Sequence, residues 1–147
     1  LKRKTHDKIT YGNVTKLSQS FKSKSFDCCV ALDVIEHLNK KQGLRLIEDM
    51  QKIAKKKIIF FTPNGFLRQI NKKNLLEEHR SGWSAEEMHE LGFQVYGMLG
   101  HKIFRGEMHR IKYWPKTVWA ILSELSNVLY TKSHPKNAAS ILCIKNI

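Results

Sequence analysis

The segment SFDCCVALDVIEHLNK, residues 25 to 40, runs apolar and then delivers Asp33, Glu36 and His37 in quick succession. Two carboxylates and an imidazole are groups that take up, hold or pass on a proton, the imidazole with a reference pKa of about 6.5. A rigid strand ending at Leu32 would carry them to the place where ligands bind in an open α/β sheet, just outside the carboxyl ends of the strands. Two structural readings stand beside this one. Asp33 and Glu36 also suit a helix start, where the dipole favours acids, and His37 suits a helix-start residue bonded to the backbone.

The elements that must position these groups follow from pattern. Cys28 to Leu32 is a continuous apolar run of the kind found in strands buried on both faces. Asn39 with Gln42 forms a capping box, after which Leu44, Ile47, Met50, Ile53 and Ala54 recur at helical spacing, with Lys55, Lys56 and Lys57 at the favoured C-terminal end. KIIFFTPNG is a second strand stopped by Pro63, Asn64 and Gly65, and strand, helix and strand in succession imply a parallel pair. Residues 66 to 82 read as a surface loop, Ser84 with Glu87 as a second capping box closed by Gly92, FQVYGML as a strand and ASILCIKNI as a last one. Near the front, KITYGNV (residues 8 to 14) reads as a short strand broken by Gly12. One domain over 1–147 is the expectation, with no repeat and no linker.

Composition bounds the class. The chain has 147 residues, is 41% hydrophobic and 27% charged, and carries a net charge of +13, as a globular rather than a disordered protein would. The charge draws nucleic acid, anionic lipid or acidic substrates, but the basic residues are scattered and name no target. Leu1 in place of Met suggests a fragment or a processed chain. No signal peptide and no membrane-spanning stretch are visible. Cys28, Cys29 and Cys143 sit in apolar runs without C-x-x-C spacing and read as small buried hydrophobes, so a reducing, cytoplasmic setting is expected.

From about Lys8 onward the order of elements resembles a class I S-adenosylmethionine (SAM)-dependent methyltransferase. The resemblance rests on YGNVTKL, KSFDCCVALDVIEHL, KKIIFFTPNG and HRSGWSAEEMHELGFQVYG. It implies a Rossmann-like α/β fold with a mostly parallel sheet, a C-terminal antiparallel strand and no counterpart of the first two strands. It implies SAM as cofactor and methyl transfer to an acceptor it does not identify. Asn13 falls where the family has an Asp that contacts the adenine amino group, and Val14 would offer its amide to the adenine ring. Ala31, Leu32 and Asp33 would lie beside the methionine part of the cofactor, with Glu36 and His37 on the substrate side as the catalytic pair. Asn13 lacks the charge of the usual Asp, and no G-x-G turn occurs anywhere in the sequence.

Other clusters carry weaker expectations. His79, Arg80 and Trp83 would suit an anionic or planar substrate, although Trp83 also suits packing beneath the capped helix. His101, Arg105, His109 and Arg110 match no metal spacing and read as a solvated basic loop; no metal is expected. The helix at 116 to 130, with Trp114 and Trp119 nearby, has an apolar stripe that suits a membrane surface. Its other face holds Ser123, Glu124, Ser126 and Asn127 rather than lysines, which favours a sheet-covering helix.

Three function classes follow. The first is a methyltransferase domain present here in part, the second a non-catalytic relative acting as a partner subunit, the third a basic RNA- or lipid-binding module. The third lacks an RNA-binding fingerprint. An edge left open by the absent strands would further promote self-association.

Overall fold

In the computed structural model, which describes residues 7–69 and 78–147, four strands form one sheet. They are β1 (Phe26–Leu32), β2 (Ala54–Pro63), β3 (Gln94–His101) and β4 (Ala138–Asn146). The order across the sheet is β1-β2-β4-β3. β1 and β2 run parallel, with Val30 opposite Ile59. β4 lies between β2 and β3 and is antiparallel to both, so the sheet has one parallel pairing and two antiparallel ones.

α1 (Leu17–Ser20) is a single turn, and α2 (Lys40–Ile53) crosses from β1 to β2. The capping box expected at Asn39 and Gln42 is present in both directions. Leu46, Ile47 and Met50 share one buried cluster with Ile58, Phe60 and Trp83, Ile53 is buried as well, and full burial of such side chains contributes roughly 1.5–3 kcal/mol each. Buried Asp49 accepts a hydrogen bond from the Ser18 amide at 3.2 Å and so ties α1 to α2. Gly43 is required by this packing, because a Cβ there would stand 2.3 Å from the Trp83 ring. α3 (Ala85–Glu90) is capped by Ser84, whose hydroxyl accepts from the Glu87 amide. Trp83 is fully buried, so its packing role is the one realised.

Four expectations change. Residues 8 to 13 hold no strand, and Ile9 and Tyr11 are exposed: β1 pairs with β2 alone, and an extended segment without a partner strand leaves its backbone to water. β1 is not buried on both faces. Ala31 is buried, whereas Cys28, Val30 and Leu32 are exposed, because α2 covers one face of this edge strand and nothing described covers the other. Lys55 to Lys57 belong to β2, since α2 ends at Ile53 with Lys52 in its last turn.

The fourth concerns α4 (Lys116–Ser126), continued by a π-helical turn over Asn127–Thr131. It lies on β3, but with its polar side inward. Ser123 and Thr131 are buried, while Val118, Ile121, Leu122, Leu125, Val128 and Leu129 face outward. The reason is that β3 is an edge strand whose backbone needs partners. Ser123 Oγ donates to the Leu99 carbonyl at 2.9 Å, and Ser126 Oγ accepts from the His101 amide at 2.9 Å. Asn127 Oδ1 accepts from the Gly100 amide at 3.3 Å. Gly97 and Gly100 permit the approach: a Cβ on either would fall 1.9 Å from the Thr131 oxygen or 2.0 Å from the Ser123 oxygen.

Candidate functional site

The site is built at the carboxyl ends of the two parallel strands. β1 hands over to Asp33, whose amide continues the ladder by donating to the Phe61 carbonyl at 2.9 Å. Asp33 sits at φ 51°, a left-handed conformation costly for a residue with a side chain. The sharp turn that results sends Ile35–His37 into one 3-10 turn across the end of β2. Glu36 is thereby drawn under the surface, with 2% of its area exposed.

Thr62, near the end of β2, donates its hydroxyl to Glu36 Oε2 at 3.2 Å. The Glu36 carbonyl accepts from the amides of Arg80 at 2.8 Å and Ser81 at 3.1 Å. That pair of bonds fixes the segment carrying His79 against the turn carrying His37. The two imidazoles meet edge to face, their ring centres 5.0 Å apart.

Both rings are held through the same nitrogen. His37 Nδ1 lies 3.1 Å from the Glu78 carbonyl, and His79 Nδ1 lies 2.6 Å from the Leu67 carbonyl. A carbonyl only accepts, so each Nδ1 bears the proton and each neutral ring keeps its lone pair on Nε2. One donor atom from each of Glu36, His37 and His79 lies within 4.8 Å of the others. A carboxylate and two imidazoles of fixed tautomer are a donor set suited to a divalent cation.

Burial sets the protonation. The Glu36 carboxyl is pushed up to about 6, first by burial and then by the nearby Asp33 charge, against the pull of its own amide, His37 and Thr62. Burial holds His79 and His109 below the usual imidazole range. Near neutral pH burial therefore favours the neutral imidazole at His79 and His109, beside a carboxyl that takes up a proton more readily than an exposed one.

The groups face a cavity of about 250 Å³ lined by Asp33, Glu36, His37, His79, Met108 and His109, among others. His109 also lines a neighbouring cavity of about 360 Å³ bearing Lys102, Arg105 and Lys112. The basic loop expected to be solvated is thus structured. Arg105 reaches the Leu99 carbonyl at 2.6 Å, the His109 carbonyl at 2.9 Å and the Glu124 carboxylate at 2.9 Å. Arg80 is exposed, and His101 caps the turn at Lys102–Phe104.

The residues expected to hold cofactor divide. Val14, Ala31 and Leu32 line one largely apolar cavity of about 330 Å³ beside α2. Asn13 is exposed, and its side-chain oxygen accepts from the Thr15 amide and hydroxyl, both at 2.9 Å. Asp33 lies on the Glu36 side instead. An apolar wall of this kind suits the face of a planar ring such as adenine and offers no charged partner to the ammonium and carboxylate of the methionine portion of SAM. Sequence reasoning missed His79 as a partner of Glu36, and its nearest signal was the HRSGW segment.

Among the described residues, no helix is long and apolar enough to cross a membrane. No family model matches the sequence, and no curated protein matches it. Solved structures do. A SAM-dependent methyltransferase from Archaeoglobus fulgidus superposes with a TM-score of 0.53 at 14% identity, over 94% of this chain and 66% of its own. The small RNA methyltransferase HEN1 superposes with a TM-score of 0.51 at 17% identity, over 90% of this chain and 15% of its own. The chain thus spans about two thirds of the first of these and a small part of the second. Its sheet, with parallel β1 and β2 and flanking helices, is the Rossmann-like α/β fold of these SAM-dependent methyltransferases.

Proposed function

We propose that this chain forms the acceptor-binding part of a SAM-dependent methyltransferase, with Glu36, His37 and His79 as the groups that orient and deprotonate the acceptor. The observation that carries this reading is the convergence of those three side chains at the ends of β1 and β2, in a cavity next to a basic one. When bound, SAM supplies a methyl group on a positively charged sulfur, so the protein's task is alignment and proton removal. A hydroxyl held in the cavity would give its proton to a free imidazole Nε2 or to ionised Glu36 as its oxygen forms the new bond to carbon. Lys102, Arg105 and Lys112 favour an acceptor that carries negative charge nearby.

A second reading of the same cluster is that it holds a divalent cation against the acceptor oxygen. The paired Nδ1-to-carbonyl bonds favour it, since they leave both Nε2 lone pairs for a ligand. In either case the test is release of S-adenosylhomocysteine from SAM by the full-length protein, with and without chelator, against Glu36→Gln and His79→Ala. Loss of turnover without loss of stability supports the reading. Turnover untouched by both substitutions overturns it, and no turnover under any condition favours a non-catalytic partner subunit.

A further inference from the structure

α4 is turned inside out relative to an ordinary sheet-covering helix. The side chains of Ser123, Ser126 and Asn127 are consumed by the edge of β3, and the apolar stripe of the helix is left to solvent. Leu129 is 79% exposed, and Trp114, just before the helix, is 84% exposed. Tyr113 extends the patch, its ring 5.0 Å from that of Trp119, which in turn lies 5.7 Å from Phe104. A contiguous apolar face of this kind on a charged protein marks an interaction surface.

The topology removes one occupant. Strands added to this sheet would join at β1, whereas α4 covers β3 at the opposite margin. Charge selects among the rest. From Lys102 to Lys132 the segment carries six basic residues against two acidic ones, Glu107 and Glu124. Glu124 is bonded to Arg105, which offsets its charge. Arg110, Lys112 and Lys116 precede the stripe and Lys132 follows it, all exposed. At low salt a second copy of a +13 chain would meet electrostatic repulsion at such a face, whereas an anionic surface would be attracted to it.

We propose that this face, from Tyr113 through Leu129, docks on an anionic lipid surface. The apolar stripe enters the boundary between headgroups and acyl chains, Trp114 and Tyr113 sit at headgroup level, and the flanking lysines meet the lipid phosphates. An interfacial helix normally turns its polar side to water; here that side is turned to the protein body, so the helix would lie between the sheet and the bilayer.

The test is co-sedimentation of the chain with vesicles of phosphatidylcholine alone and of phosphatidylcholine mixed with phosphatidylglycerol, at low and physiological salt. Binding to the anionic vesicles is expected, with a blue shift of tryptophan emission that Trp114→Phe removes. The pair Ile121→Glu and Leu125→Glu, both at exposed positions, should weaken partitioning by about tenfold or more while circular dichroism stays unchanged. Lys112→Glu with Lys116→Glu tests the charge in the same way. The proposal is overturned if the parent chain ignores anionic vesicles, or if the glutamate pair binds as well as the parent, which would mean attraction by net charge alone. It is equally overturned if the parent forms a dimer that the glutamate pair dissolves and neither binds lipid, which would assign the face to a second copy.

Discussion

Thr62 on β2 donates its hydroxyl to the carboxylate of Glu36 at 3.2 Å, joining the ends of the two parallel strands through a buried acid. Burial of that acid has a consequence for stability. Its pKa in the folded chain, about 6, lies above the ordinary 4.5, so between those values the folded state binds more protons than the unfolded one. Stability from this group is complete below pH 4.5 and is lost as pH rises through about 6, by roughly 2 kcal/mol. Glu36→Gln should therefore be relatively more stable at pH 7 than at pH 4.5, by about that amount. Urea melts of both proteins in chelator at the two pH values measure it; equal differences would show that the carboxyl is not strained by burial.

Divalent ions should bind the cluster and His79→Ala should weaken them by about tenfold or more, as loss of one imidazole ligand does. Calorimetry with Mn²⁺ and Zn²⁺ in separate titrations reads this directly. His89→Ala, on α3 and outside the cluster, is the control and should bind like the parent. Equal affinity for the His79 variant would leave the cluster as proton-transfer groups only.

Much of this arrangement was legible and some was not, for physical reasons. The capping box at Asn39 and the strand at KIIFFTP are encoded by neighbours in sequence and are legible there. The facing of α4 was not, because a stripe of Ile121, Leu125 and Leu129 gives the helix period without saying which side the sheet takes. The spacing of Gly97 and Gly100 on β3 was the available sign of a close backbone approach. His79 was hidden because it meets His37 only through the bonds from Arg80 and Ser81 to the Glu36 carbonyl.

Gly100→Ala should loosen the α4 contact. Gly100 has φ +73°, and its new Cβ would meet the Ser123 oxygen. Left-handed strain and overpacking together cost about 2–4 kcal/mol. Hydrogen exchange should show α4 and its amides losing protection before β1 and β2 do. Uniform loss across the sheet would mean that α4 is no separate unit.

The margin at β1 should make the chain associate as salt rises. β1 pairs only with β2, and Val30 and Leu32 lie exposed beside its open backbone. Repulsion between +13 chains fades when screening contracts to about 8 Å at physiological ionic strength. Val30→Lys should suppress the association. Light scattering across a salt series decides it, and a monomer at every concentration would show that the margin is protected.

Asn64 followed by Gly65 is chemically the most perishable pair in this chain, since an exposed asparagine before glycine cyclises and deamidates. Here the Asn64 carboxamide nitrogen donates to the carbonyls of Pro135, Lys136 and Ala138, and its oxygen accepts from the Ala85 amide. The Gly65 amide, the attacking atom of that cyclisation, is engaged with the Trp83 carbonyl at 2.9 Å. Ageing at this pair thus requires the junction of β2, α3 and β4 to open first. The slow gain in mass of the peptide containing Asn64 is then a clock for that opening, running inside the native protein without any denaturant.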